Sequence, residues 1–373
     1  MIYLDYSANT PIDNRVLQRF IETEQHFIGN PNSNHIAGLA AKDEMNRITE
    51  SIATLIGAEP SEIIYTSGAS EANNLAIKGI ARATRHIGKH IISTVLEHSS
   101  VSGCLTFLQE QGYEIDLVDI NRDGTVSLEH FAELIRKDTV LVAVCAVDSE
   151  LGTIQPIREI AQIVKAYPQC RLHVDATQAA GKIPLVLDGV DTMSFSSHKF
   201  YGLNGCGFLF KKRDLIVEPL IHGGASTTIY RSGTPALALA ASTETALRLA
   251  LINQEENSGV VAKSNLFLRE ALSAYSRVCF NSPKNAVPHI LNISVAGTRG
   301  RDFQRALDRH GVCVSVKSAC SVENTPSRAV FAVSRDRKNA LASWRISLSH
   351  LTTREELEDF LKIFELCYKE LVT

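Results

Sequence analysis

The sequence predicts an α/β fold, with a large domain on a seven-stranded, mostly parallel sheet and a smaller α+β domain. Three observations lead there. Seven short apolar runs recur from residue 63 onward, helical periodicity fills the gaps between them, and the chain changes character after about residue 252. The runs are EIIYTSG, HIISTVLEH, EIDLVDI, TVLVAVCAV, RLHVDATQ, DTMSFSSHK and GFLFKK. Between them, segments such as LEHFAELIRK and IREIAQIVKAY repeat apolar residues at helical spacing, the alternation of a layered α/β domain. Ligands on such sheets bind at the carboxyl ends of the strands.

A helix-like stretch from about 236 to 252 runs into the polar segment NQEENSG, which is read as a break between domains. The expected large domain is therefore 15–252, and the smaller one combines 1–14 with 253–373. The latter reads as strands HILNISV, VCVSV and WRISLSH with two helices. The last helix opens at Thr352 or Thr353 with a glutamate three residues on, a capping box. Leu357, Phe360, Leu361, Phe364, Tyr368 and Leu371 then share one face, expected to be core.

Composition narrows the function classes. The 373 residues are 45% hydrophobic, enough for a large core. Lysine and arginine total 38 against 41 acidic residues, and a net charge of −3 gives no field to draw in nucleic acid or an anionic membrane. A small-molecule substrate is expected. No apolar run approaches the roughly 20 residues that span a bilayer, and the start MIYLDYSANTP does not read as a signal peptide, so the expected location is the cytoplasm. Eight cysteines (Cys104, Cys145, Cys170, Cys206, Cys279, Cys313, Cys320, Cys367) lie without CxxC pairs, mostly in apolar surroundings. That spacing points away from a disulfide framework and from a metal site.

Six segments carry chemistry. In DTMSFSSHKFYGLNGCG an apolar strand ends in Ser196, Ser197, His198 and Lys199; such a lysine either snorkels to solvent or serves a site. In RLHVDATQAAGK, Asp175 closes a strand with Gln178 one turn on. It fits equally well as a helix cap or ion-pair member, or as the partner of a cationic ring nitrogen. IIYTSGASEANN passes from a strand through Ser67, Gly68, Ala69 and Ser70 into a helical pattern. This is an anion site in form, neither a P-loop nor a dinucleotide fingerprint, though Ser70 alone is also a plain cap. STVLEHSS places His98 past another strand at the same end of the sheet, either to stack on a ring or as a structural histidine. VCVSVKSACSVENTPSRAV puts Cys320 between a strand and a polar stretch that reads as a loop over 321–329. An accessible thiol there is the best nucleophile of the eight. Arg345 in WRISLSH offers a guanidinium for a substrate carboxylate, or a surface ion pair.

In this order, YLDYSANTP (3–11), GNPNSNHIAG (29–38), TSGASEANN, EH, ELGTIQPI, HVDATQAAGK, SSHKFYG, RSGT, SAC and WRISL span nearly the whole chain. Together they resemble the NifS/IscS-like cysteine desulfurases, class V aminotransferase-like enzymes of the fold-type I (aspartate aminotransferase-like) group that use pyridoxal 5′-phosphate (PLP). The resemblance implies Lys199 bonded to the cofactor and acting as base, Asp175 on the pyridine nitrogen, Gln178 near the ring hydroxyl and His98 against the ring face. It implies phosphate contacts from Ala69, Ser70, Ser196 and His198, and a homodimer in which Thr234 of RSGT reaches the partner subunit's phosphate. Arg345 would hold the carboxylate of L-cysteine, and Cys320 would take its sulfur as a persulfide while alanine leaves. A sulfur-acceptor protein, serving iron–sulfur clusters, tRNA or another thio-cofactor, is the implied partner.

Several positions depart from the family pattern. Asp148, Ser149 and Glu150 stand where Asn-Asn-Glu is usual, so the second asparagine, normally close to the cofactor, is lost. GGASTT occupies 223–228 in place of a GGGQE-type segment, and Lys317 precedes SAC in place of glycine. Only 28 residues follow Arg345, fewer than in the tail by which some relatives dock an iron–sulfur scaffold. The alternatives are a related PLP lyase acting on selenocysteine or cystine, and a PLP-binding sulfur-relay or assembly partner with little turnover.

Overall fold

A computed structural model describes residues 1–317 and 325–372. After a short strand β1 (Ile2–Tyr3) come β2 (Ile63–Thr66), β3 (His90–Thr94), β4 (Glu114–Val118), β5 (Thr139–Cys145), β6 (Arg171–Asp175), β7 (Thr192–Ser196) and β8 (Gly207–Lys211). The last seven are the seven apolar runs, and they form one sheet in the order β2-β8-β7-β6-β5-β3-β4. β8 alone runs antiparallel to its neighbours. Every residue of β5 is buried, and its side chains feed cores on both faces: Val142 and Val144 on one, Leu141 and Ala143 on the other. A strand covered on both faces reads as an unbroken apolar run, which is why periodicity alone does not reveal its faces.

The chain then forms β9 (Val278–Phe280), β10 (Ile290–Val295), β11 (Val312–Cys313) and β12 (Ser343–Ser347). β10 lies between β12 and β9 in an antiparallel sheet, and β11 pairs in parallel with β1. A separate apolar core gathers here, from Leu4 and Val261 to Cys367. At its centre Phe303 stacks on Trp344, with ring centroids 5.2 Å apart, and Phe364 lies 5.2 Å from Phe303.

Three expectations about local structure need correction. NQEENSG is not a linker in form: helices Leu237–Ile252 and Gln254–Leu272 are separated by Asn253 alone, and the polar residues form the solvent-facing first turns of the second helix. Polarity there marks exposure rather than a linker, with Glu255 and Glu256 favourably placed in the first turn. The loop expected over 321–329 ends earlier, because helix Arg328–Ser334 begins within it, capped by Ser327 Oγ, which accepts from the Val330 N–H at 3.1 Å. The strand expected over 312–316 is paired as a strand only at Val312 and Cys313, with one further bridge at Ser315. The final helix, Arg354–Val372, does carry the capping box at Thr353, whose Oγ1 accepts from Glu356 N–H while its own N–H donates to Glu356 Oε2.

Phe364→Ala removes a ring from the middle of the smaller core. It is expected to cost about 3–5 kcal/mol, read as a lowered thermal unfolding midpoint, with the residues at the ends of β6 and β7 undisturbed.

Candidate active site

The carboxyl ends of β2, β3, β5, β6 and β7 open on one cleft of about 340 Å³, the size range of small-molecule sites. Ala69, Ser70, His98, Asp175, Gln178, Ser196, His198, Lys199 and Arg345 all line it. One sequence-identified residue does not, and one is not described. Thr234 is exposed and lies outside this cleft, and Cys320 falls outside the described residues. The elimination that singled out Cys320 also needs correcting, because Cys279 is exposed rather than buried.

At the end of β2, Gly68 takes φ of 136°, a backbone conformation that glycine alone adopts without strain, and precedes helix Ala69–Ala83. The start of this helix packs tightly against the sheet. A Cβ on Gly207 would meet Phe195 O at 2.2 Å and Gly68 Cα at 2.9 Å. The helix has no side-chain cap among the described residues, so its first N–H groups and the positive end of its dipole face the cleft beside the Ser70 and Ser196 hydroxyls. Ser196 Oγ is 3.0 Å from His198 Nδ1, and burial, with the Lys199 charge second, pulls the His198 pKa down to about 4.

Asp175 is 5% exposed. Its Oδ1 accepts from the Thr177 N–H at 2.9 Å, so it does cap the local turn. Its Oδ2 accepts from Asn73 Nδ2 at 2.8 Å. Asn73 is the residue sequence reasoning missed: fully buried, it also donates to Ser100 Oγ at 2.8 Å and accepts on Oδ1 from His173 Nε2 at 3.0 Å. Ser100 Oγ lies 2.9 Å from His98 Nδ1, which also accepts the Ser100 N–H, leaving the ring proton on Nε2. Burial lowers the His98 pKa against the opposing charge of Asp175, so the ring is neutral. A polar Asn73 among Ala72, Leu75, Ala76 and Ile80 on a helix was the available signal.

Lys199 follows β7 in a single 3₁₀ turn, and Nζ donates to Ser7 O and Ala8 O, each at 2.7 Å. It does not snorkel. Gln178 Nε2 also donates to Ser7 O, while its Oε1 accepts from Lys182 Nζ at 2.6 Å. Arg345 is 2% exposed and is no surface ion pair: Nη1 donates to Ser149 O at 2.6 Å and Nη2 to Asp5 Oδ1 at 2.8 Å.

Two further carboxyls are fully enclosed behind the cleft. Glu97 Oε1 accepts from Thr94 Oγ1 and the Cys145 N–H, while Oε2 has no partner among the described residues. Burial, reinforced by the charge of Asp175, raises its pKa to about 8. Asp148, at a position where the related pattern has asparagine, accepts from the Glu150 and Leu151 N–H groups and is raised by burial to about 7.

The residues fit a phosphorylated pyridine aldehyde. The cleft offers an uncapped helix start with hydroxyls for a phosphate, a buried carboxylate for a ring nitrogen, and an amine among its lining residues.

The chain matches the family model "Aminotransferase class-V" over residues 2–360. It is 37% identical to the cysteine desulfurase IscS of Dictyoglomus turgidum, over 100% of this chain and 95% of that one. Among solved structures, a NifS-like protein superposes with a TM-score of 0.92 at 34% identity, covering 98% of both chains. SspA in complex with cysteine superposes at 0.82 with 31% identity, covering 95% of this chain and 100% of that one.

Folded Glu97 keeps its proton to about pH 8, whereas an unfolded glutamate releases it near 4.5, so this group's contribution to stability falls as pH rises through that interval. Glu97→Gln is expected to gain thermal stability relative to the parent protein between about pH 5 and 8. Parallel midpoint curves for the two proteins would show that Glu97 is ionised in the fold.

Proposed function

The chain belongs to the class-V aminotransferase family and, within it, to the cysteine desulfurases, and from that premise we propose how its residues carry out desulfuration of L-cysteine with PLP. The observation that carries the proposal is the convergence of Asp175, Lys199, the uncapped start of helix Ala69–Ala83 and Arg345 on one cleft. Full-length likeness to enzymes named for desulfuration favours this reading over a selenocysteine or cystine lyase and over a non-catalytic relay protein.

Ala69, Ser70, Ser196 and His198 would hold the phosphate, and neutral His98 would support the ring. Gln178 would serve the ring hydroxyl. Asp175, fixed by Asn73, would favour a protonated ring nitrogen. When bound, the cofactor supplies an electron sink that makes the substrate's Cα–H acidic. Lys199 would be the residue that holds the cofactor, and its amine, once free, would serve as the base for the substrate's Cα proton. Arg345 holds the substrate carboxylate. The Cys320 thiolate bonds to the substrate Sγ while the Cβ–Sγ bond breaks, its electron pair staying with the carbon skeleton. That skeleton is protonated and leaves as alanine. The persulfide sulfur passes to an acceptor protein.

The homodimer belongs to the same proposal. Exposed Ile28, Ile36 and Ile229 flank a hydrogen bond from Asn32 Nδ2 to Ser226 Oγ, and exposed Thr234 follows. Such a surface suits a second copy that receives Thr234 at its phosphate. Among the described residues no helix is long and apolar enough to cross a membrane.

The test is alanine and sulfide production from L-cysteine with a reductant present. The parent protein should make both products. Lys199→Ala should lose activity and the covalent cofactor absorbance, whereas Cys320→Ala should lose activity and keep that absorbance. Full activity in Cys320→Ala would make the protein a different PLP lyase.

A further inference from the structure

Arg345 is held from two sides before any ligand arrives. A guanidinium has five N–H groups. One on Nη1 is taken by Ser149 O at 2.6 Å and one on Nη2 by Asp5 Oδ1 at 2.8 Å. Three remain, and Nε is buried with no partner among the described residues. Arg345 lines the same cleft as Lys199 and Asp175, so the second N–H on each of Nη1 and Nη2 is left for a ligand there.

Asp5 is itself fixed. Its Oδ2 accepts from Ser315 Oγ at 2.7 Å, and its backbone bridges to Ser347, two residues beyond Arg345 on β12. Ser315 in turn exchanges backbone hydrogen bonds with Arg345, N–H to O in both directions. The carboxylate, the serine hydroxyl and the strand therefore form a closed frame around one side chain. Because a guanidinium recognises a carboxylate through paired, planar N–H groups, rotation about its last bonds decides whether two of them point at the ligand together.

We infer that Asp5, supported by Ser315, is a positioning residue: it holds the Arg345 guanidinium in the rotamer that receives the substrate's carboxylate and so determines selectivity for amino acids over simple amines. The inference rests on the reading that Arg345 takes that carboxylate. Asp5 touches neither substrate nor cofactor in this role, and its effect falls on binding of the carboxylate rather than on proton transfer at Lys199.

The experiment uses the PLP-loaded enzyme and two unreactive probes, L-alanine and ethylamine, which share an amine and differ in the carboxylate. Their affinities are read from the change in cofactor absorbance, beside KM and kcat for L-cysteine. In Asp5→Ala, KM for L-cysteine and the dissociation constant for L-alanine should rise about tenfold or more, with kcat and ethylamine affinity near the parent values. Asp5→Asn, which keeps an acceptor toward Nη2, should recover part of the loss, and Ser315→Ala should show a smaller shift of the same kind. If Asp5→Ala does not fold, these two variants carry the test. An equal loss for both probes reduces Asp5 to a structural tie. An unchanged or lowered KM makes it idle or a competitor for Arg345, and either result overturns the inference. Arg345→Ala, run alongside, separates the two readings. If it too treats the probes alike, Arg345 does not bind the carboxylate at all; if it discriminates while Asp5→Ala does not, only the positioning role falls.

Discussion

Asn73 has two amide hydrogens and one amide oxygen, and all three are spent inside the protein, on Asp175, Ser100 and His173. Each of these partners fixes another: His173 Nδ1 meets Thr192 Oγ1 at 2.9 Å, and Ser100 meets the ring of His98. A buried carboxylate, two neutral imidazoles and two hydroxyls thus share a single consistent set of donors and acceptors. Leaving one such group unsatisfied costs about 1–3 kcal/mol. Burial pulls the His173 pKa down to about 4, which keeps that ring neutral and its Nε2 proton available to Asn73. The end of β6 and the start of the helix after β3 are coupled through this amide, and the floor of the cleft takes its electrostatic character from it.

Strands such as β5 and β8, buried along their whole length, were legible because a strand covered on both faces is largely apolar, whereas the edge strand β4 is partly exposed. The same logic drew notice to Lys199 and Asp175, polar residues at the ends of strands, though a snorkelling lysine or a capping aspartate would leave the same trace and Asp175 does cap its turn. Asn73, Glu97 and Asp5 were less legible for the opposite reason. Each lies inside a segment already explained by a stronger neighbour, Ser70, His98 and the start of the chain respectively, and its importance depends on a partner a hundred or more residues distant for Asn73 and Asp5. Pairing of that kind leaves no periodic trace in a single sequence. The polar run after residue 252 misled because exposure on a helix and exposure in a linker select the same residue types.

Departures from the related pattern acquire physical content in the structure. Asp148 sits in full burial with two backbone N–H groups on one oxygen and, among the described residues, none on the other, and burial raises its pKa to about 7, favouring the protonated acid more than in water. Ser149 contributes its peptide carbonyl to Arg345, a contact any residue can supply, which leaves its short side chain free to widen the cleft wall.

The first ten residues cross from one core to the other. β1 pairs with β11, Asp5 is tied to Arg345, and the carbonyls of Ser7 and Ala8 receive Lys199 from 192 and 191 positions away. This strap is therefore among the last contacts to form, since Asp5 and Arg345 are 340 positions apart and a closure of that length is slow. Until it forms, Lys199 stands at the end of a finished strand without the two carbonyls that receive it. Seating of the cleft in this sense waits on the smaller core, and a fault in β11 or β12 reaches the far side of the molecule through ten residues of chain.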